Sequence, residues 1–233
     1  MSTPRDLDSL KKAAALTAVE YVKDGMTVGL GTGSTAKHLV IALGDKVKAG
    51  MTLRGVPTSQ ETASLARQCG ITLIEADNRW ELDVAIDGAD QVDPAFNLIK
   101  GGGGALLKEK IVAASARQFI VLVDETKQVA VLGGSFPLPI EVIPFGWGST
   151  AREIEALTKS RVVLRERNGA PFVTEAGNLI VDVHMARIDQ PKELETALNQ
   201  IPGIVETGLF VGRTDVVIVG RASGVDVLHG RRN

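Results

Sequence analysis

At 233 residues, with 26 Lys and Arg against 28 Asp and Glu and 44% hydrophobic content, the chain suits one or two globular domains and is too apolar to stay disordered. A net charge of -2 and 4% aromatic residues supply neither the basic surface nor the stacking platforms that a nucleic-acid partner requires. The start Met1–Lys12 lacks the apolar core of a secretory signal, and no run approaches the roughly 18 apolar residues that cross a bilayer, so a cytoplasmic protein without a membrane partner is expected. Cys69 stands alone, which rules out an internal disulfide framework.

In chain order, Leu7 to Val22 carries apolar residues at helical spacing and Asp24-Gly25 stops it. Met26 to Leu30 reads as a buried strand, followed by a glycine-rich turn and a helix from Ala36 to Leu43. Met51 to Val56 is a second strand, and Thr58-Ser-Gln-Glu61 has the capping-box pattern that opens a helix running to about Gln68. Ile71 to Glu75 and Leu82 to Ile86 read as strands, Gly104 to Arg117 as a helix and Phe119 to Val123 as a strand. This alternation predicts an α/β fold: a Rossmann-like, mostly parallel sheet with helices on both faces.

Beyond about Gly134 the pattern changes. Pro139 to Pro144 reads as a strand, Thr150-Ala-Arg-Glu153 as a second capping box with a helix to Lys159, and Arg161 to Glu166 as a strand before the hairpin signal Asn168-Gly169. Leu179 to Met185 is a strand, Pro191 starts a helix to Gln200, and Ile204 to Phe210 is extended. The order β-α-β-β-α-β predicts a smaller inserted α+β, ferredoxin-like domain at 135–206, with 1–134 and 207–233 forming the Rossmann-like catalytic domain to which the strand Asp215 to Gly220 returns.

Three clusters carry chemistry. The first, Gly29-Leu-Gly-Thr-Gly-Ser-Thr-Ala36, lies between strand and helix, where converging N–H groups, the helix N-terminus and the hydroxyls of Thr32, Ser34 and Thr35 form an anion cradle. From Gly31 it also fits the dinucleotide fingerprint, but the following strand ends without the acid that would hold a ribose, and no Gly-Lys-Ser/Thr follows for a P-loop. A small phosphate ester fits better than a nucleotide.

The second, Asp87-Gly-Ala-Asp-Gln-Val-Asp93, follows a buried strand, at the end where open parallel sheets bind ligands. Carboxylates facing an anion cradle suit proton transfer or the holding of sugar hydroxyls. The competing reading is a solvated acidic turn. Histidines far apart and the absence of EF-hand spacing give no expectation of a metal.

The third is Lys100-Gly-Gly-Gly-Gly-Ala-Leu-Leu-Lys-Glu-Lys110, whose glycines imply a backbone that must approach something closely. Lys100 can neutralise a phosphate or an oxyanion. Glu109 is either a working carboxylate or a solvated helix acid between Lys108 and Lys110. Lys127 follows another strand end, where a substrate contact is plausible. His38, His184 and His229 each stand singly and read as structural.

Gly31-Thr-Gly-Ser-Thr35, Asp87-Gly-Ala-Asp90 and Lys100-Gly-Gly-Gly103 followed by Glu109 occur in the order and spacing of the A-type ribose-5-phosphate isomerases. The chain resembles that family over nearly its whole length, through Phe136 to Pro144, Asn178 to His184 and Ile201 to Phe210. The resemblance implies a cofactor-independent aldose-ketose isomerase of the non-oxidative pentose phosphate pathway, acting on a small sugar phosphate as a homodimer or homotetramer. It carries substrate binding onto Thr32, Gly33, Ser34 and Thr35, onto Asp87, Gly88, Ala89 and Asp90, onto Lys100, Gly101, Gly102 and Gly103, and onto Lys127. It carries the proton-transferring base onto Glu109, with Asp87, Asp90 and Lys100 as catalytic companions, and less firmly a phosphate contact onto Lys11. Gly104 departs from the family, where many members have Ala, and is expected to loosen the helix start. A non-catalytic sugar-phosphate sensor and an NAD(P)-dependent oxidoreductase are the alternatives.

Overall fold

A computed structural model describes residues 4–74 and 80–230. In chain order the elements are α1 (Pro4–Ala18), β1 (Thr27–Leu30), α2 (Ser34–Lys48), β2 (Arg54–Pro57), α3 (Gln60–Gln68), β3 (Thr72–Leu73), β4 (Val84–Gly88), β5 (Gln91–Val92) and β6 (Leu98–Ile99). There follow α4 (Leu106–Ala114), β7 (Phe119–Asp124), β8 (Leu138–Val142), α5 (Trp147–Thr158), β9 (Arg161–Leu164), β10 (Glu166–Arg167), β11 (Ala170–Pro171) and β12 (Leu179–His184). The chain closes with α6 (Pro191–Leu198), β13 (Ile204–Thr207), β14 (Leu209–Phe210), β15 (Val216–Arg221) and β16 (Gly224–His229). Among the described residues no helix is long and apolar enough to cross a membrane.

Two compact units result. The first comprises Met1–Ala89, Lys108–Gln128 and Arg213–Asn233, the second Asp90–Leu107 and Val129–Gly212. The first unit holds a seven-stranded sheet in the order β16-β15-β7-β4-β1-β2-β3, parallel except for the edge strand β16. Its central strands are apolar throughout because both faces are covered. Val28 and Leu30 pack with Val84, Ile86, Ile120 and Leu122 against Ala14, Ala18, Leu39 and Leu43 of α1 and α2. The alternate residues point the other way: a Cβ on Gly29 would stand 2.4 Å from Val112 of α4 and 2.9 Å from the Ala85 Cβ. The missing side chain at Gly29 is therefore what lets α4 lie against β1.

The second unit contains the antiparallel sheet β13-β8-β12-β9, the strand order of a ferredoxin-like β-α-β-β-α-β fold. Its core joins Leu138, Ile140 and Val142 with Leu179, Val181 and Val183, and with Ile154 of α5 and Leu198 of α6. Segment 90–107 groups with this unit rather than with the α/β sheet, because β6 pairs with β14 as well as β5.

Several boundaries differ from expectation for identifiable reasons. Helix α2 runs past Leu43 because its apolar stripe continues to Val47, which packs on the same core. The cap of α3 is Ser59, not Thr58: the Ser59 hydroxyl accepts from the Thr62 N–H at 3.2 Å, while the Thr58 hydroxyl donates to the Leu30 carbonyl and lies 2.7 Å from that of Thr32. Ser59→Ala should lower stability by about 1 kcal/mol, read as a drop in the urea midpoint at unchanged slope. Helix α5 starts at Trp147 and not at Thr150, since left-handed Gly146 provides its cap and the Thr150 hydroxyl is committed to the Pro202 carbonyl at 3.0 Å.

Strand β4 continues through Asp87 and Gly88 instead of ending at Ile86. Only Thr72–Leu73 of the expected strand Ile71 to Glu75 pairs, and Glu75 lies outside the described residues. Helix α4 spans Leu106–Ala114, so Gly104 precedes it and cannot loosen it. Gly104 instead takes φ +86 in the turn closed by its N–H to the Gly101 carbonyl, and a Cβ there would meet the Phe172 ring at 2.3 Å.

Candidate active site

In the first unit, β1 delivers the chain to Gly31, whose N–H donates to the Ile86 carbonyl of β4 at 3.0 Å. Gly33 then adopts φ 99, a left-handed angle, and caps α2 with no side-chain hydrogen bond. The first N–H groups of a helix have no intrahelical partner, so an uncapped start leaves them for an anion. Gly33 and Ser34 are exposed and no acid lies in the first turn, whereas Thr35 is buried. Lys11 of α1 donates to the Ser34 hydroxyl at 3.1 Å, which puts a cation at the cradle.

Asp87 is 3% exposed at the end of β4. Its Oδ1 accepts the N–H groups of Thr32 at 3.0 Å and of Gly88 at 2.7 Å, joining the cradle to the acidic segment. Gly88 lies close enough to Thr35 that a Cβ would stand 4.0 Å from the threonine Cβ. This first carboxylate is therefore an oriented, buried group rather than part of a solvated turn. Asp93, by contrast, closes the β5–β6 hairpin by accepting the N–H groups of Ala95 and Asn97.

Glu109 is 7% exposed, which excludes the solvated reading despite its neighbours Lys108 and Lys110. It sits in the first turn of α4, one turn before Val112, and so shares the face that lies on Gly29 of β1. Lys127, half-buried, ends the short 3-10 turn after β7 that the Asp124 side chain caps at the Thr126 N–H. His38 pairs with Asp8 at 2.8 Å between α1 and α2; that hydrogen bond and charge hold the Asp8 carboxyl below its ordinary value.

The second unit carries the remaining candidates. The Asp90 N–H donates to the Ile99 carbonyl, and its Oδ2 accepts the Gly102 N–H at 2.8 Å. Lys100 is 2% exposed, with its N–H on the Gly208 carbonyl and its ammonium 5.5 Å from the centre of the Phe210 ring. The Lys100 side chain is therefore held in a buried setting against an aromatic face. Gly101 to Gly104 form a turn with positive φ at both ends, and Gly103 at its outer side has nothing within 4 Å of where a side chain would stand.

Thus Thr32, Gly33, Ser34, Thr35, Asp87, Gly88, Ala89, Glu109 and Lys127 belong to the first unit, and Asp90, Lys100, Gly101, Gly102 and Gly103 to the second. Two residues read from sequence only as a helix cap and part of a strand also belong beside the site. Thr58 occupies the position after β2 where a dinucleotide fold would place its ribose-binding acid, and it hydrogen-bonds Thr32 instead. Arg165 donates to the carbonyls of Gly101 and Gly102. Among the described residues no group of three or more His, Cys, Asp or Glu could hold a metal ion.

The family model for ribose 5-phosphate isomerase A (phosphoriboisomerase A) matches residues 54–224. The chain is 52% identical to the ribose-5-phosphate isomerase A of Nitrobacter hamburgensis over 97% of its own length and 99% of the relative's. It superposes on the ribose 5-phosphate isomerase of Plasmodium falciparum with a TM-score of 0.94 at 36% identity, covering 97% of this chain and 100% of that one. A D-ribose-5-phosphate isomerase solved in complex with phospho-erythronic acid gives a TM-score of 0.92 at 43% identity, covering 96% and 99%.

Proposed function

Because the chain belongs to the ribose 5-phosphate isomerase A family, we propose that it interconverts D-ribose 5-phosphate and D-ribulose 5-phosphate through an enediolate, in the non-oxidative pentose phosphate pathway. The observation that carries this reading is Glu109, a carboxylate kept 7% exposed in the first turn of α4, on the helix face that lies against β1 just before the anion cradle. A phosphorylated sugar acid bound to a relative supports a sugar phosphate as the ligand.

The uncapped N-terminus of α2, with Thr32, Gly33, Ser34, Thr35 and Lys11, holds the phosphate. Asp87 and Asp90, with the Gly88-Ala89 backbone between them, bind the sugar hydroxyls, and one of the two carboxylates assists ring opening by moving a hydroxyl proton. Glu109 then takes the proton from C2; the C–H pair becomes the C1–C2 double bond and the carbonyl pair moves onto O1. Lys100 and the Gly103 N–H stabilise that oxyanion, with Lys127 as a further substrate contact. Transfer of the O2 proton to O1 and delivery of a proton from Glu109 to C1, once the carboxylic acid has exchanged with water, complete the ketose. No external oxidant or reductant is consumed.

A homodimer or homotetramer in the cytoplasm is part of the same reading, carried over with the family. The two alternatives are weaker: a sensor has no use for a buried base, and an oxidoreductase lacks its ribose acid where Thr58 stands. Metal-free incubation with ribose 5-phosphate in D₂O, followed by NMR, tests the proposal. Ribulose 5-phosphate should form with solvent deuterium entering at C1. Absence of conversion, with EDTA present and again with magnesium restored, would sink the isomerase reading.

A further inference from the structure

Arg165 lies in the bend between β9 and β10, where its N–H donates to the Ile180 carbonyl and its own carbonyl accepts the Phe172 N–H, each at 2.8 Å. The guanidinium grips Asp182 of β12, with Nε 2.8 Å from Oδ2 and Nη2 2.5 Å from Oδ1. Nη1 is directed to the glycine turn, 2.7 Å from the Gly101 carbonyl oxygen and 3.2 Å from that of Gly102. The Arg165 and Asp182 side chains are only 15% and 16% exposed, so this pair is not a solvated surface bridge.

Peptide geometry gives the arrangement its consequence. In a trans peptide the C=O and N–H point in opposite directions, so a group that holds the carbonyls of residues 101 and 102 turns the N–H groups of Gly102 and Gly103 away from itself. The Gly102 N–H meets Asp90 Oδ2 at 2.8 Å. A side chain at Gly103 would meet nothing within 4 Å, so the turn is open at that residue. A charged donor on a carbonyl also polarises that peptide and strengthens the donor at its other end. A lysine could not do this, since one ammonium cannot engage a carboxylate through two parallel bonds and still reach both carbonyls.

We propose that Arg165 is a positioning residue of the isomerase: pinned by Asp182, it sets the Gly101–Gly103 peptides so that the Gly103 N–H is presented to the oxyanion of the enediolate. This rests on the isomerase reading above and adds to it a residue that never touches substrate.

The test is steady-state kinetics of Arg165→Met, Arg165→Lys and Asp182→Asn in the full chain, with thermal melting as the check of folding. A donor that serves only the developing charge affects kcat and leaves ground-state binding alone. Arg165→Met should therefore lose about 10²-fold in kcat with KM shifted less than about threefold. Arg165→Lys should recover only a small part of that loss. If Arg165→Met fails to fold, Asp182→Asn, which keeps the shape and removes the pinning charge, should show the same split at about tenfold in kcat. Near-normal kcat in folded Arg165→Met or in Asp182→Asn, or a loss confined to KM, overturns the positioning role. If that happens while Glu109→Gln is inactive, the isomerase reading stands without it; if the unaltered chain does not turn over ribose 5-phosphate, both fall.

Discussion

Glu109→Gln should lower kcat by about 10²–10⁴-fold while KM changes little. Glutamine matches glutamate in volume and reach, so the first turn of α4 and its contact with β1 should survive and the melting temperature should stay close to that of the unaltered protein. What disappears is the ability to accept a proton from carbon. A base acts in the transition state far more than in the ground state, so its removal falls on kcat. Glu109→Asp separates basicity from placement. It keeps the carboxylate but withdraws it by one methylene, and a displacement of about 1 Å can by itself cost about 10² in rate. Both variants should also lose deuterium incorporation at C1 in proportion to kcat, since the same carboxylate takes the proton from C2 and delivers one to C1. Folded Glu109→Gln with kcat within a few-fold of normal would remove Glu109 from the role.

Much of this arrangement is local in the chain and therefore readable from it. The cradle is one contiguous run from Gly29 to Ala36, and its glycines and hydroxyls announce themselves by composition. The α/β alternation is legible because β1, β4 and β7 are covered on both faces and read as unbroken apolar runs. Features made by tertiary contact are not. Arg165 reads only as part of a strand, because its carbonyl partner at Gly101 lies 64 residues away. Strands β5, β6 and β14 have two residues each, too short for any periodicity to appear. The edge strand β16 is largely exposed and lacks an unbroken apolar run, so nothing marks it out in the sequence. At α3, adjacent Thr58 and Ser59 offer equivalent caps in sequence, and only the proximity of Leu30 and Thr32 decides which hydroxyl is free to serve.

Gly31→Ala should damage folding and catalysis together, and for a different reason from Glu109→Gln. A Cβ at Gly31 would fall 2.1 Å from Asp87 Oδ1, 2.3 Å from its Cγ and 2.6 Å from its Cα. The carboxylate could swing aside, but the Cα belongs to β4, which is hydrogen-bonded between β1 and β7 and cannot give. Overpacking of this kind costs about 1–3 kcal/mol, seen as a lower urea midpoint. The same methyl drives Asp87 off the N–H groups of Thr32 and Gly88, so kcat in the folded fraction should fall by about 10²-fold. Gly33→Ala is the control. Gly33 has φ +99 but open space around it, so alanine brings backbone strain of about 1–2 kcal/mol without a collision. Its effect should appear in KM, because the N–H groups it tilts face the phosphate rather than the reacting carbons. If Gly31→Ala were as stable and active as the unaltered protein, the tight approach of β1 to β4 would be wrong, and with it the placement of Asp87 that the ring-opening step requires.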